Sequence, residues 1–305
     1  MRIGTPVTSF VPPDHTQRMA AIGPVQDLPR HLQRALRPDD FFRPVPTPNA
    51  NDWLTNHPEE GQTFDQFVRS RPNRPDDVRN VIYLQPLGRF EPEDSPPLSA
   101  LVEFGESFFM MRVAMAPPLD IAQARITTRH NPYTGHIQLL TTDILEVLRR
   151  NLPPDAFAVL GVTMFDLYPH PAWNFVFGQA SLRQRVGVYS FARYDPRFYG
   201  EQLHENRREL LLRRSCKVLA HEAGHMFGIA HCVFFHCLMN GSNHLEESDA
   251  RPMHECPVDL RKLHYSIGFD VVARYQRLLD FCRRVGFEDE ARWLERRIAF
   301  ILADD

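Results

Sequence analysis

One eleven-residue stretch constrains this chain more than any other: His221-Glu222-Ala223-Gly224-His225-Met226-Phe227-Gly228-Ile229-Ala230-His231. Two histidines four residues apart stand one above the other when the backbone is helical. Leu212, Cys216, Leu219, Ala223 and Met226 recur at alternating spacings of four and three, which draws a single apolar stripe along the same helix. At about 100° per residue, His221 and His225 point roughly opposite that stripe. The predicted helix therefore buries one face against a core layer and turns two imidazoles toward a cleft. Such a pair suits one Zn²⁺ at ~2.0–2.1 Å from each nitrogen. Glu222 lies on a neighbouring face, where it can take a proton from the attacking water without joining the ligands. Gly228 can adopt the left-handed conformation that ends the helix and turns the chain, so that His231 becomes the third ligand. Three protein ligands leave a fourth position open, which distinguishes catalytic from structural zinc sites.

The layer beneath such a helix is legible upstream. Residues 157–164 form a nearly continuous apolar run, as expected of a strand covered on both faces. Residues 81–84, 125–127, 137–139, 173–177 and 186–191 read as further strands, and residues 98–111 and 142–150 as helices between them. Strands alternating with helices predict an α/β sheet. Beyond Phe269, Val271, Val272, Tyr275, Leu278 and Leu279 recur at helical spacing up to Gly286, a natural stop. A last helix over residues 289–302 carries Trp293, Ile298 and Ile301. Residues 1–77 are different: rich in proline and polar residues, they read as a partly irregular extension, wrapped on the domain or partly disordered, with short helices at 28–36 and 64–68.

Charge and composition exclude several roles. A formal charge of -3 offers no footprint for nucleic acid or acidic membranes, and 24% charged residues is ordinary for a globular chain. Arg207, Arg208, Arg213 and Arg214, interspersed with Glu205 and Glu209, read as a solvated helix face. Residues 1–10 lack a secretory pattern, and no apolar run approaches the ~20 residues of a membrane span. The expected location is intracellular, cytoplasmic or nuclear. Of the five cysteines, Cys232, Cys237 and Cys256 crowd just after the histidines, a pattern that suggests metal binding rather than a disulfide framework. Cys216, on the apolar stripe, and Cys282 read as core. Asn240-Gly241-Ser242 matches a glycosylation sequon and is read as coincidental.

The extended motif is that of metzincins, and the residues after it narrow the family. Cys232 comes directly after His231, four residues separate it from Cys237, and the chain continues through Cys237-Leu238-Met239 to Cys256-Pro257. This resembles the archaemetzincins. Asp52-Trp53-Leu54, Asp166-Leu167-Tyr168-Pro169, Trp173-Asn174-Phe175 and Ser190-Phe191-Ala192-Arg193-Tyr194 resemble the eukaryotic branch, over about residues 50–280. The resemblance implies that Met239 is the residue of the Met-turn. It also implies a second, structural zinc, with Cys232, Cys237 and Cys256 matching three of its ligands. Asp259 stands where the family has its fourth cysteine. A carboxylate can ligate zinc at ~2.0–2.2 Å; His236 or His254 could take the place instead, or the second site could be absent. The family also implies an antiparallel edge strand on which extended substrate can pair, and residues 173–179 fit that place best.

The expectation is a metzincin-like α/β catalytic domain over residues 78–305, with a mixed sheet and motif helix to about residue 228 and a smaller helical part after it. Its activity would be zinc-dependent hydrolysis of peptide or protein substrates. A catalytically silent zinc-binding protein is the alternative, against which the intact Glu222 argues. Charge argues against a nucleic-acid-binding finger, because Arg251 is the one Lys or Arg between Cys232 and Cys256.

Overall fold

The computed structural model describes residues 10–200 and 206–303. Four short helices open the chain: α1 (His15–Ile22), α2 (Arg30–Ala35), α3 (Trp53–Asn56) and α4 (Phe64–Arg69). Next come β1 (Val81–Leu87), α5 (Leu98–Phe109), β2 (Arg112–Met115), β3 (Thr128–His130), β4 (Ile137–Leu140) and α6 (Thr141–Arg150). The strands β5 (Ala156–Thr163), β6 (Asp166–Tyr168), β7 (Gly178–Ser181) and β8 (Val186–Ser190) come after them, then the long helix α7 (Arg207–Met226). Four helices close the chain: α8 (Leu245–Ala250), α9 (Pro257–Ile267), α10 (Val271–Val285) and α11 (Glu288–Leu302). Among the described residues no helix is long and apolar enough to cross a membrane.

The chain divides into two units, of which the larger takes residues 73–228 and 266–294. Its five-stranded sheet has the order β2-β1-β5-β8-β7; the first four strands are parallel and β7 runs antiparallel along one edge. A second sheet, β3-β4-β6, pairs one antiparallel and one parallel neighbour. All eight residues of β5 are buried, which is why its sequence is a continuous apolar run rather than an alternating one. Helix α6 closes a cluster through Ile144, Leu145 and Leu148 against Val159 and Val188. Helix α7 packs on α5 and on β5, β7 and β8. Every member of its predicted stripe, Leu212, Cys216, Leu219, Ala223 and Met226, is buried. Cys282 is buried too, as expected of core.

Three strand and helix boundaries differ from the sequence expectation, each for a local reason. The strand foreseen at 173–177 forms instead as β7, beginning at Gly178. Side chains occupy the backbone acceptors it would have used. Arg129 donates to the carbonyls of Trp173 (2.5 Å) and Asn174 (3.1 Å), and Gln138 Nε2 also donates to Asn174 O at 2.9 Å. Helix α5 stops short of residue 111 because Met110 takes a left-handed φ of 52°. Arg125, at φ 56°, likewise turns the chain before β3 starts at Thr128.

Of the arginine cluster, Arg208 and Glu209 are exposed as expected, and the other arginines need correction. Arg207 is buried, not solvated, and donates through Nε and Nη2 to the carboxylate of Asp195. Arg213 pairs with Asp289 and Arg214 donates to the Tyr194 carbonyl at 2.7 Å. Glu205 lies outside the described residues.

Among the described residues the smaller unit joins residues 10–72 to 229–265 and 295–303. Its proline-rich segment is anchored by backbone pairing: Pro44 bridges Phe235, Val45 N–H donates to Phe234 O and His236 N–H to Arg43 O at 2.9 Å. Arg297, fully buried, donates to Asp39 and to the carbonyls of Arg34, Ala35 and Arg37. A single guanidinium thus caps the acceptors that α2 leaves open at its C-terminus. Helix α4 starts with a capping box between Thr63 and Gln66.

Candidate metal centres

In the larger unit, α7 delivers His221 and His225 to one face, because residues four apart lie one turn apart. Their Nε2 atoms approach to 3.1 Å, with the rings at 85° to one another. His221 is 7% exposed and His225 half-buried. Two ligand nitrogens at ~2.0–2.1 Å from one zinc in a tetrahedral arrangement stand about 3.3–3.4 Å apart, so the observed pair fits that edge. Glu222, half-buried, is next to His221 on the helix. Its charge reaches Tyr189, whose phenol is pushed well above its ordinary pKa, first by complete burial and then by Glu222. Gly228 closes the helix at φ 84°, the left-handed value expected of it.

In the smaller unit, His231 is held from both sides by the N-terminal segment. Its Nδ1 lies 3.0 Å from Glu59 Oε1, and the same oxygen accepts from Trp53 Nε1 at 2.8 Å. The Trp53 ring meets the His231 ring edge-on at 5.1 Å. Next to it, Ala230 N–H donates to Gln62 Oε1 at 3.2 Å. Trp53 is fixed in turn: its backbone N–H donates to Glu247, and its indole lies so close to Gly241 that a Cβ there would fall 2.4 Å from Trp53 Cδ1. Glycine is the residue that permits this approach.

Cys232, Cys237, Cys256 and Asp259 converge in the same unit, all buried, with their donor atoms within 4.8 Å of one another. The three thiols are free. Cys232 Sγ is 3.5 Å from Cys256 Sγ, and Asp259 Oδ2 is 3.3 Å from Cys237 Sγ and 3.5 Å from Cys256 Sγ. Around a tetrahedral zinc, two thiolates stand about 3.8 Å apart and a thiolate and carboxylate oxygen about 3.6 Å. The cluster matches those edges closely. Neither His236 nor His254 belongs to this group.

Helix α9 places Asp259 and Lys262 one turn apart, and Lys262 Nζ donates to Asp259 Oδ1 at 2.8 Å, leaving Oδ2 for the sulfurs. Burial, then the negative charge of Cys232, raises the Asp259 carboxyl to about 7. Burial raises the thiols of Cys237 and Cys256 well above their ordinary range. Burial opposes ionisation of Cys232 as well, but hydrogen bonds from Cys237 and Cys256, the Lys262 charge and a backbone hydrogen bond from Phe235 together hold its thiol well below the ordinary range.

Asn240 organises the loop. Its Nδ2 donates to the carbonyls of Cys232 (2.8 Å) and Phe235 (2.9 Å), and its Oδ1 accepts from Cys237 N–H at 2.7 Å. An amide engaged in this way and 7% exposed is a structural pin, in keeping with the reading of its sequon as coincidental. Met239 is buried, and its carbonyl accepts from Cys232 N–H at 2.9 Å. A third convergence of potential ligands, Asp52, His244 and Glu247, was not foreseen. Hydrogen bonds account for it: Asp52 faces His244 Nε2 at 3.0 Å, and Glu247 accepts the N–H groups of Trp53 and Asn243.

Residues 129–265, which contain the histidine helix and the cysteine cluster, match the model of peptidase family M54. By class the chain is a zinc metallopeptidase. Archaemetzincin-2 of Mus musculus is 36% identical to it, covering 89% of this chain and 90% of the mouse protein. The human archaemetzincin-2 is 40% identical over 82% of this chain and 77% of its own length. Among solved structures, archaemetzincin from Methanopyrus kandleri aligns with 63% of this chain and 97% of its own, at 30% identity and a TM-score of 0.47. The chain belongs to the archaemetzincin family.

Proposed function

We propose that His221, His225 and His231 hold the catalytic zinc, and that Glu222 is the general base and later the proton donor in hydrolysis of a peptide bond. The observation that carries this reading is the 3.1 Å approach of the His221 and His225 Nε2 atoms on α7. Such a pair is electrostatically poor unless a proton or a cation lies between the two lone pairs, and the spacing suits zinc. His231 joins them by its place in the motif, three residues past the left-handed Gly228. When bound, zinc supplies a Lewis acid for the substrate carbonyl and for water. Glu222 takes the proton of the attacking water and returns it to the leaving amine. The outer side of edge strand β7 is suited to pair with an extended peptide, as edge strands do in β-augmentation. That role falls to Gly178–Ser181 rather than to the longer stretch from Trp173.

A second, structural zinc is the reading that best suits Cys232, Cys237, Cys256 and Asp259. Its support is the four-donor geometry, with the Asp259 Oδ2 turned to the sulfurs and Oδ1 to Lys262. Met239 would then be the Met-turn residue within a loop that this metal holds.

The test is metal analysis together with peptide-library cleavage, on wild type and Glu222→Ala. Wild type should bind two zincs and cleave; Glu222→Ala should keep both and lose ~10²–10⁴-fold in rate. Cleavage that survives the substitution would refute the role of Glu222. A wild type that binds zinc without cleaving any peptide would favour the catalytically silent alternative.

A further inference from the structure

We propose that Glu59, from the N-terminal segment, is the positioning carboxylate of His231, and that Trp53 holds Glu59 in place for it. The inference rests on His231 being a zinc ligand. Glu59 Oε1 accepts two hydrogen bonds, from His231 Nδ1 at 3.0 Å and from Trp53 Nε1 at 2.8 Å. A neutral imidazole has one N–H. With that proton donated from Nδ1 to Glu59, the Nε2 lone pair is the one presented for a metal, and the ring is held in one orientation. The carboxylate also makes the ring a stronger donor toward a cation.

The arrangement is built, not incidental. Trp53 is clamped by its backbone N–H on Glu247 and by the contact with Gly241. Gln62, three residues past Glu59, accepts from the N–H of Ala230, which fixes the backbone next to the histidine. Glu59 is 172 residues from His231 in sequence, and Asp52, on the same segment, is tied to His244. The proline-rich segment therefore supplies the metal site with a fixed hydrogen-bond acceptor that the histidine motif lacks.

Full-length protein stripped of metal is titrated with Co²⁺. Thiolate-bound cobalt shows a near-ultraviolet sulfur-to-metal band, which separates the cysteine cluster from an imidazole site. Four forms are compared: wild type, Glu59→Ala, Glu59→Gln and His231→Ala, with the melting temperature of each metal-free form. Glu59→Ala should weaken cobalt at the imidazole site about 10–100-fold, the usual effect of losing such a partner. It should leave the thiolate band unchanged. Glu59→Gln keeps an acceptor without the charge and should recover part of the loss; being isosteric, it also carries the test if Glu59→Ala fails to fold. Wild-type cobalt affinity in both Glu59 variants, with His231→Ala defective, would overturn the inference alone. Wild-type affinity in His231→Ala would overturn the reading of His231 beneath it.

Discussion

Gly241→Ala puts the claim that Trp53 is seated on a bare backbone to a quantitative test. A Cβ at position 241 would lie 2.4 Å from Trp53 Cδ1 and 2.6 Å from both Cγ and Nε1. Non-bonded carbons rest at about 3.5–4.0 Å, so the indole must retreat by about 1 Å. Its 2.8 Å hydrogen bond to Glu59 does not survive such a shift. Overpacking of this kind costs about 1–3 kcal/mol, and the lost hydrogen bond adds about 1 kcal/mol. Urea unfolding followed by tryptophan fluorescence should show a midpoint lowered by about 1 M or more, for a slope of about 1–3 kcal/mol/M. A double-mutant cycle isolates the cause. In a Trp53→Leu background, where the indole is gone, Gly241→Ala should fall to within about 0.5 kcal/mol of neutral. An equal cost in both backgrounds would refute the steric argument, because the collision would then not be with the indole.

The same structure sets other outcomes. Cys256→Ser should lower the zinc content by one per chain without touching the histidine site, and Asp259→Cys should retain two zincs; mass spectrometry under native conditions reads both. Arg193→Met should destabilise the protein by about 3–5 kcal/mol, because it strands the buried Asp166 carboxylate that Arg193 grips at 2.8 Å through two nitrogens. Arg193→Met with Asp166→Leu should recover much of that loss, by the same denaturation assay. The pKa of His244 is raised by its hydrogen bonds to Asp52 and then to Glu246. A raised histidine pKa stabilises fully below its unfolded value of about 6.5, and that contribution disappears as pH rises through the folded pKa. His244→Gln should therefore flatten the stability–pH curve in that window, and an unchanged curve would show that the pair contributes nothing.

What could be read from the sequence was what local periodicity encodes. The apolar stripe of α7 and the continuous run of β5 each announce a buried surface within about four helical turns or one strand, and both form as expected. The left-handed turn at Gly228 was legible because few residues other than glycine adopt it. Misreadings arose where a distant side chain intervened. The acceptors of Trp173 and Asn174 are taken by Arg129, some forty residues upstream, which no local pattern records. Arg207 stood among charges that suggested solvent, but its partner Asp195, 12 residues upstream in sequence, is buried with it. In the N-terminal segment the two short helices form near their expected places, at Arg30–Ala35 and Phe64–Arg69, but composition does not say which residues anchor the chain. Buried Phe42, Leu54 and Phe67, spaced more than ten residues apart, carry that anchoring without any period.

The aspartate at the fourth position of the cysteine cluster looks like a weakness only if charge is ignored. With the proposed second zinc bound, three thiolates, one carboxylate and a divalent cation would carry a net charge of about -2, the same as four thiolates would. The exchange of cysteine for aspartate thus leaves the electrostatic demand on the surroundings unchanged, and Lys262, itself fully buried, meets part of it through the 2.8 Å contact with Asp259. What changes is softness: oxygen binds zinc well but the softer cations less well than sulfur does. The substitution is also geometrically conservative, because one carboxylate oxygen replaces a sulfur while the second reaches the lysine. A serine or an alanine in the same place could do neither. Lys262 would then have no carboxylate beside it in a wholly buried position, a far more costly arrangement than the one this chain has adopted.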